Sequence, residues 1–385
     1  MPPAARTDIR ERLAGSASAQ GPRAGAAAVE GAVDALGKEP GLVLVFAAGD
    51  VDPDALATEA HAAAGTRVAG MTGSGAIGEE GLVESGCSAI AFSASLPAGV
   101  GAADGADPRR AGHEATQRAL AEIDGAAHGI VLLFVDSEAG DQADIVAGAY
   151  AAAGGRIPLA GGAAGGAPRA RFAGGRALSG GVVAVAIGSS TPIGVGIAHG
   201  CIPRGTPSIV TRAEGPRIIQ LDGRPAQEVY FERLGLNGEE VNDVHFEMLA
   251  MVHPLAEPEL SGVVRPRYLR ARDGDGALIC ATAIERNAAV EICEQTPDTI
   301  VQSARAAVVD AVSQLEAPAR ASLVFDCAGR SAWFGGQLAE RELDAMFAEL
   351  GDPSPSVAGA FTRGEIGRAR GAKGDRNHSV VVAAF

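Results

Sequence analysis

One strand–helix–strand pattern occurs three times in this chain of 385 residues. Each copy begins with a short, continuously apolar run, continues through a helical stretch and ends in a glycine-rich segment followed by another apolar run. The first apolar runs start at Leu42, Ile130 and Leu323, and the glycine-rich segments cover residues 68–78, 159–166 and 357–367. An uninterrupted apolar run is typical of a strand that is covered on both faces. Copies this far apart do not form a solenoid; they indicate duplicated strand–helix–strand units whose equivalent loops line up, and such loops commonly build a ligand site.

The chain has the composition of a folded protein with room for two domains, since 47% of its residues are hydrophobic and 21% are charged. Its net charge of -15 leaves no excess of Lys and Arg to neutralise phosphates, so we expect neither nucleic acid nor an anionic membrane as a partner. Five scattered cysteines without paired spacing indicate a reducing cytoplasm. The uncharged stretch 177–203 contains Pro192 and several glycines, which predicts two strands and a turn rather than a membrane span.

The pattern of predicted strands changes near residue 197. Strand-like pieces become short beyond that point, and residues 268–280 have the pattern of a β-hairpin with an Asp-Gly turn. We therefore predict an α/β protein of two joined domains, built from repeated strand–helix–strand units with mixed sheets. The predicted domains are residues 38–195 and 196–385, and a helical extension at residues 1–37 precedes them.

Two short motifs resemble ligand sites but lack a required part. Residues 73–78 spell the dinucleotide motif G-x-G-x-x-G, yet Glu79 and Glu80 follow where a helix N-terminus should bind phosphate, so we predict a loop between strands. Residues 273–276 begin like a calcium loop, but Glu285 falls one position beyond the closing ligand. The histidines show no compact helical pairing, and we expect no metal site.

Cys327 carries a reactive thiol at a predicted strand end. It closes the third apolar run, at the edge where open sheets place ligands, and the nearby Arg330 should lower its thiol pKa. A nucleophilic cysteine also needs a general base, and the nearest histidine in sequence is His378. Cys327 can therefore be a nucleophile, a redox-sensitive thiol, or a pocket-lining or buried side chain.

A polar cluster, residues 362–365, stands on the third glycine-rich loop. It is either a solvated turn or a clamp in which Arg363 binds a carboxylate and Glu365 accepts from an ammonium group. Opposite charges side by side suit a zwitterion such as an amino acid, and hydroxyls on the equivalent first loop can add donors. The candidate ligand contacts are Thr72, Ser74, Cys327, Arg330, Thr362, Arg363 and Glu365.

Taken together, these segments resemble the FIST family, in which a FIST N domain precedes a FIST C domain. The N-domain landmarks are the glycine-rich segment 68–78 and residues 158–162. The C-domain landmarks are residues 219–226, 253–255, 265–266, 325–330 and 361–367. The combination of Asp-Gly-x-Pro-Ala, Cys-Ala-Gly-Arg and Thr-x-Gly-Glu-Ile in this order is specific, and the resemblance runs from about residue 38 to the C-terminus.

The resemblance implies a cytoplasmic sensory module that binds a small ligand, with amino acids as the expected class. Nothing in the chain is left over for a kinase or cyclase, so we expect a stand-alone module that relays to a separate signalling protein. We expect binding without catalysis and without a cofactor. Two alternatives stay open: an enzyme that uses Cys327 as its nucleophile, and a haem-binding gas sensor, because some members of the family are associated with haem.

Overall fold

The structure is a computed structural model that describes residues 12–105, 107–137, 142–178, 180–259, 263–333, 336–351, 354–368 and 373–385. Its helices are α1 (Ala24–Leu36), α2 (Pro53–Ala64), α3 (Pro108–Leu120), α4 (Gln142–Ala153), α5 (Ala226–Leu234), α6 (Asp243–Val252), α7 (Pro297–Ser313), α8 (Ala328–Trp333) and α9 (Gly336–Leu350), with a 3-10 turn at Gly238–Glu240. The strands are β1 (Ala14–Ala19), β2 (Pro40–Ala48), β3 (Arg67–Thr72), β4 (Ala76–Gly78), β5 (Gly81–Val83), β6 (Gly86–Ser93), β7 (Ala98–Ala103), β8 (His128–Val135), β9 (Leu159–Ala163), β10 (Arg171–Ala173), β11 (Arg176–Leu178), β12 (Val182–Ser189), β13 (Gly194–His199), β14 (Ile202–Glu214), β15 (Arg217–Leu221), β16 (Arg224–Pro225), β17 (Leu255–Pro258), β18 (Val264–Arg267), β19 (Leu269–Arg272), β20 (Leu278–Cys280), β21 (Ala289–Glu294), β22 (Ala321–Cys327), β23 (Ser356–Thr362), β24 (Glu365–Arg368), β25 (Asp375–Arg376) and β26 (Ser379–Ala384).

The three sequence repeats fold into three copies of one sheet. Each copy has a central parallel pair joined by a helical crossover: β2 with β3, β8 with β9, and β22 with β23. Two further strands extend each pair on one side, each antiparallel to its neighbour, giving the matching orders β1-β6-β2-β3, β7-β12-β8-β9 and β13-β26-β22-β23. A parallel pair requires a long crossover, which explains the helix in every copy. The predicted α/β class with repeated units and mixed sheets is confirmed.

The repeats exchange hairpins in a cycle. The β10–β11 hairpin of the second repeat pairs with β3, β24–β25 of the third pairs with β9, and β4–β5 of the first pairs with β23. Each sheet reaches six strands only because a neighbouring repeat supplies two of them. The segment with the dinucleotide motif becomes the β4–β5 hairpin, so a strand and not a helix follows it, as the two glutamates predicted.

A cluster of three phenylalanines joins the repeats at their centre. Phe46, Phe134 and Phe325 occupy equivalent places in β2, β8 and β22, and all three are fully buried. Their ring centroids lie 5.9, 5.8 and 6.1 Å apart, distances at which tilted and edge-on rings attract. The apolar runs that define the sequence repeats therefore meet in one shared core.

An antiparallel subdomain is inserted into the third repeat. Strands β14 to β21 lie between β13 and α7 and form an eight-stranded sheet covered by α5 and α6. This insertion accounts for the change in strand pattern near residue 197. The predicted hairpin is present as β19 and β20. In the predicted helical extension, α1 follows a strand, β1, which pairs with β6 and so belongs to the first repeat. None of the helices in the described ranges has the length and apolarity needed to cross a bilayer.

Candidate functional site

A cavity of about 630 Å³ opens where β22 and β23 end. Its wall takes residues from all three repeats: the turn before β4, the start of α4 and the loop after β9, and the segment that follows β23. The inserted subdomain closes the remaining side with residues of α6 and β19. Because each repeat turns the same end of its parallel pair towards this place, the duplicated fold converges its loops on one cavity.

Four of the seven candidate contacts line the cavity: Ser74, Cys327, Thr362 and Arg363. Cys327 and Thr362 are register partners at the ends of the parallel strands β22 and β23, so they stand side by side in the wall. Arg363 is exposed, whereas Cys327 is only partly accessible. The third repeat thus supplies a thiol and a cation to one surface, while the hydroxyl of the buried Thr362 donates to Glu365 behind it.

Thr72, on β3, binds backbone instead of facing the cavity. Its hydroxyl lies 3.0 Å from the carbonyl oxygens of both Gly165 and Pro168 and accepts from the N–H of Ala170 at 2.9 Å. The side chain is 2% exposed. Thr72 therefore fastens the segment after β9 to the first repeat, and a contact between its side chain and a ligand is not part of this geometry.

Arg330 lies behind the cavity wall in a buried ion cluster. Its guanidinium donates to Glu342 at 2.6 Å and lies 3.5 Å from Asp326. Burial opposes its charge, but these two carboxyl groups outweigh burial and raise the pKa of Arg330. Burial and then the neighbouring Glu342 raise the pKa of Asp326. Arg330 holds β22, α8 and α9 together rather than presenting its charge to the cavity.

Glu365 is also buried behind the wall. Its carboxyl accepts from the Thr362 hydroxyl at 3.0 Å and from the Ser379 N–H at 3.2 Å. Burial raises its pKa to about 8, although these two donors oppose the shift. Arg363 and Glu365 consequently do not form the two sides of an open clamp. Among the described lining residues, the acidic side chain is the exposed Glu84.

The thiol of Cys327 has a different electrostatic setting from the one predicted. Burial, followed by the charge of Glu365, raises its pKa well above the ordinary value. The Gly329 N–H and the Arg330 charge act in the opposite direction but are weaker. Arg330 does lower this pKa, as predicted, but burial and the charge of Glu365 outweigh its effect, so the net shift is upward.

Several lining residues were not among the predicted contacts. Arg169 and Arg270 join Arg363 in the wall, so three separate segments each contribute an arginine to one cavity of an acidic protein. Burial raises the pKa of Tyr268, and the positive charges of Arg270 and Arg363 partly oppose that effect. These residues lie far apart in sequence and share no spacing, so no motif could have grouped them.

His378 and Gln142 carry buried polar atoms without a hydrogen-bond partner among the described residues. His378 Nδ1 lies 3.0 Å from Gln295 Oε1, which leaves Nε2 on the other edge of the ring unpartnered. Burial, then the charges of Arg330 and His199, lower the pKa of His378 to about 3, so its imidazole is neutral. Gln142 Oε1 is unpartnered in the same wall.

Three interlocked repeats and an inserted antiparallel sheet define a two-part α/β protein with a cavity where the parts meet. The FIST N domain family matches residues 41–224, and the FIST C domain family matches residues 226–368. The chain belongs to the FIST family, as the sequence motifs predicted. FIST domains are sensory domains of signal transduction.

The chain is also similar to proteins of mycobacteria. An uncharacterized protein of Mycobacterium tuberculosis (strain H37Rv) is 28% identical over 212 residues, which is 54% of this chain and 54% of that protein. An uncharacterized protein of Mycobacterium bovis has the same identity and coverage. The chain spans about half the length of the curated relatives it matches.

Proposed function

We propose that this protein is a sensory module that binds a small carboxylate-bearing ligand in the cavity and relays its presence to a separate signalling protein. Amino acids are the first ligand class to test. The observation that carries the proposal is the convergence of Ser74, Cys327, Thr362 and Arg363 on one cavity. A concave site at the carboxyl ends of parallel strands is where α/β proteins bind small molecules.

The wall has groups for both charges of an amino acid. Arg363 and Arg270 can bind a carboxylate through paired N–H donors, and Glu84 can accept from an ammonium group. Leu82, Phe361 and Met251 supply apolar surface for a side chain. This mixture of apolar wall and a few polar groups is usual in small-molecule sites, as is a volume of about 630 Å³.

The position of the cavity also supports a relay. Met251 belongs to α6 of the inserted subdomain, whereas Phe361 belongs to β23 of the third repeat. A ligand that contacts both parts favours the arrangement in which both contacts form, and so shifts the population of conformers. A signalling partner that recognises the favoured arrangement then reads the ligand.

Thermal-shift measurements with the amino acids, related carboxylates and the corresponding amines test the proposal. A ligand at a hundred times its Kd adds about 2.7 kcal/mol to the free energy of unfolding. Arg363→Gln should lose the response to carboxylates, and the matched control Arg212→Gln should retain it, because Arg212 is exposed on β14 away from the cavity. A folded protein that no compound stabilises at millimolar concentration would contradict the proposal.

A second candidate function, haem-based sensing, is favoured by His378 alone. Its neutral imidazole has an Nε2 without a partner in the described part of the chain, and Gln295 holds the opposite nitrogen, as in histidines that ligate iron. Arg270 and Arg363 would hold the propionates, and the iron would supply gas binding. Addition of haem should give a Soret band that shifts in His378→Asn; a wild-type spectrum equal to that of free haem would rule this candidate out.

A further inference from the structure

We infer that Cys327 is a covalent attachment site for electrophilic organic anions, with α,β-unsaturated carboxylates as the simplest class. The inference rests on the proposed function in one respect, since the same cavity has to admit an anion. It goes further by assigning a bond-forming role to the thiol.

The thiol of Cys327 lies between the cavity and the carboxyl group of Glu365. Cys327 lines the wall, and its S–H hydrogen-bonds the carboxyl of Glu365. Glu365 is fixed by the Thr362 hydroxyl at 3.0 Å and by the Ser379 N–H at 3.2 Å, so its orientation towards Cys327 is maintained. A nucleophile paired with an oriented base is the arrangement that covalent chemistry requires. His378, the base suggested by sequence proximity, is hydrogen-bonded to Gln295 instead.

Gly329 lies beside both the sulfur and Met251. A Cβ at Gly329 would lie 2.6 Å from Met251 Cε and 3.7 Å from Cys327 Sγ, so the close contact would be with the end of the Met251 side chain and the contact with the sulfur would be an ordinary one. The Gly329 N–H donates to the sulfur and stabilises negative charge that develops on it. Gly329 therefore contributes a backbone donor beside the sulfur.

The arginines and two unpartnered polar groups indicate the kind of molecule that approaches the thiol. Arg270 and Arg363 outnumber Glu84 in the wall, so the cavity attracts anions although the whole chain is acidic. Gln142 and His378 are 6% and 1% exposed, and each has a polar atom without a partner among the described residues. An unsaturated acid that also carries a hydroxyl or amide donor would satisfy them, so it should bind more tightly than a simple unsaturated carboxylate.

The addition balances without any further reactant. Above about pH 8, where the carboxyl group of Glu365 is ionised, the Cys327 sulfur forms a bond to the β-carbon of the unsaturated acid while the thiol proton passes to Glu365. The π electrons of the C=C bond move to the α-carbon, which then takes the proton back from Glu365. The product is a thioether, nothing is oxidised or reduced, and the anionic carboxylate stays beside the arginines.

Alkylation of the native protein with iodoacetate and with iodoacetamide measures the preference for an anion. Towards free cysteine the neutral amide is the faster reagent, so the ratio of the two rates at Cys327 is compared with that ratio for free cysteine. Electrostatic focusing should raise the ratio in favour of iodoacetate by about tenfold or more, and less at high salt. Peptide mapping locates the label; the other four cysteines are at most 6% exposed.

Variants test each part of the inference. Cys327→Ser should remove the label, and Arg363→Gln should reduce the preference for iodoacetate, while Arg212→Gln should leave it unchanged. Above about pH 8, where Glu365 is ionised, Glu365→Gln should slow both reagents because the proton acceptor is lost. A folded wild type that stays unlabelled at Cys327, or a ratio equal to that of free cysteine, would overturn the inference. Incubation with fumarate, followed by intact-mass measurement, should then show one adduct on the wild type and none on Cys327→Ser.

The two proposals can fail separately. If carboxylates stabilise Cys327→Ser in thermal-shift measurements but the wild-type thiol does not react, reversible sensing stands and covalent attachment is wrong. If the thiol shows the anion preference but no unreactive carboxylate or amino acid stabilises the protein, covalent attachment stands and reversible sensing is wrong.

Discussion

The Cα of Gly359 lies so close to the main chain of Val324 that a Cβ would come within 1.9 Å of the Val324 carbonyl oxygen. Gly359 is on β23 and Val324 on its parallel neighbour β22, where the two residues are register partners. The same close approach recurs in the other repeats: a Cβ at Gly70 would lie 1.9 Å from the Val45 carbonyl oxygen, and a Cβ at Gly161 would lie 2.1 Å from the Leu133 carbonyl oxygen. The glycine shared by the three sequence copies is thus a packing requirement of each parallel pair.

Gly359→Ala should consequently destabilise the protein. The added methyl group has no room without movement of the β22 backbone, and such overpacking costs about 1–3 kcal/mol, or more where backbone is displaced. Gly155→Ala is a matched control, because nothing lies within 4 Å of a Cβ at that position. Urea unfolding of the two variants should differ by that amount; equal midpoints would contradict the packing role.

The repeat pattern predicts the scaffold but not how the copies join. Apolar runs and helical stretches lead directly to the parallel pairs, because local periodicity determines them. The exchanged hairpins could not be predicted, since β4 pairs with β23 through Ala76 and Ala360, which lie in different repeats. The glycine-rich segments were interpreted as ligand loops, but Gly70 and Gly359 in them serve strand packing.

Position along the chain indicated some of the residues that line the cavity, whereas burial decided the place of others. Cys327 was selected because it ends a strand at the open edge of its sheet, and Thr362 because it belongs to the polar cluster 362–365; the two are register partners in the cavity wall. Arg330 and Glu365 also follow that edge, yet the fold turns both side chains inward, and sequence does not reveal such a turn. Arg270 comes from the inserted subdomain, whose placement over the cavity is a tertiary event.

Glu365→Gln should make stability less dependent on pH in the alkaline direction. Burial raises the pKa of Glu365 to about 8 from the ordinary value of 4.5, so the native state keeps a proton that the unfolded state has lost. The resulting stabilisation is complete below the unfolded pKa and disappears as pH rises through about 8.

Guanidinium unfolding of wild type and variant between about pH 5 and pH 9 measures this effect. The free energy of unfolding of Glu365→Gln, minus that of the wild type, should rise across the interval, because other titrating groups are common to both proteins. A difference that does not change with pH would show that Glu365 is ionised in the native state.

His378→Asn should reduce the loss of stability in acid. Burial and the nearby Arg330 charge lower the pKa of His378 to about 3 from an ordinary value of 6.5. The unfolded state therefore takes up a proton first, and stability is lost as pH falls from 6.5 towards 3. Asn tolerates the φ of +52° at this position, so the substitution spares the backbone. Thermal melting between about pH 4 and pH 7 should show a smaller decrease for the variant; parallel curves would contradict the prediction.

Substitution of Arg330 should mainly change the stability of the protein, whereas substitution of Arg363 should mainly change ligand affinity. Arg330→Gln leaves Asp326 and Glu342 buried without their cation, and breaking a buried pair costs roughly 3–5 kcal/mol. Arg363→Gln changes an exposed side chain, so its effect on the free energy of unfolding should stay within about 0.5 kcal/mol. Loss of a charged hydrogen bond to a carboxylate should instead weaken ligand affinity by about tenfold or more.

Denaturant unfolding and calorimetric titration of a stabilising carboxylate on both variants compare the two roles directly. If Arg330→Gln unfolds like the wild type and loses the ligand, Arg330 is a ligand contact, as its place after the strand first suggested. If Arg330→Gln is less stable but still binds the carboxylate, and Arg363→Gln shows the reverse, the buried arginine supports the cavity wall and the exposed arginine binds the anion. The location of each guanidinium, behind the wall or in it, predicts the second result.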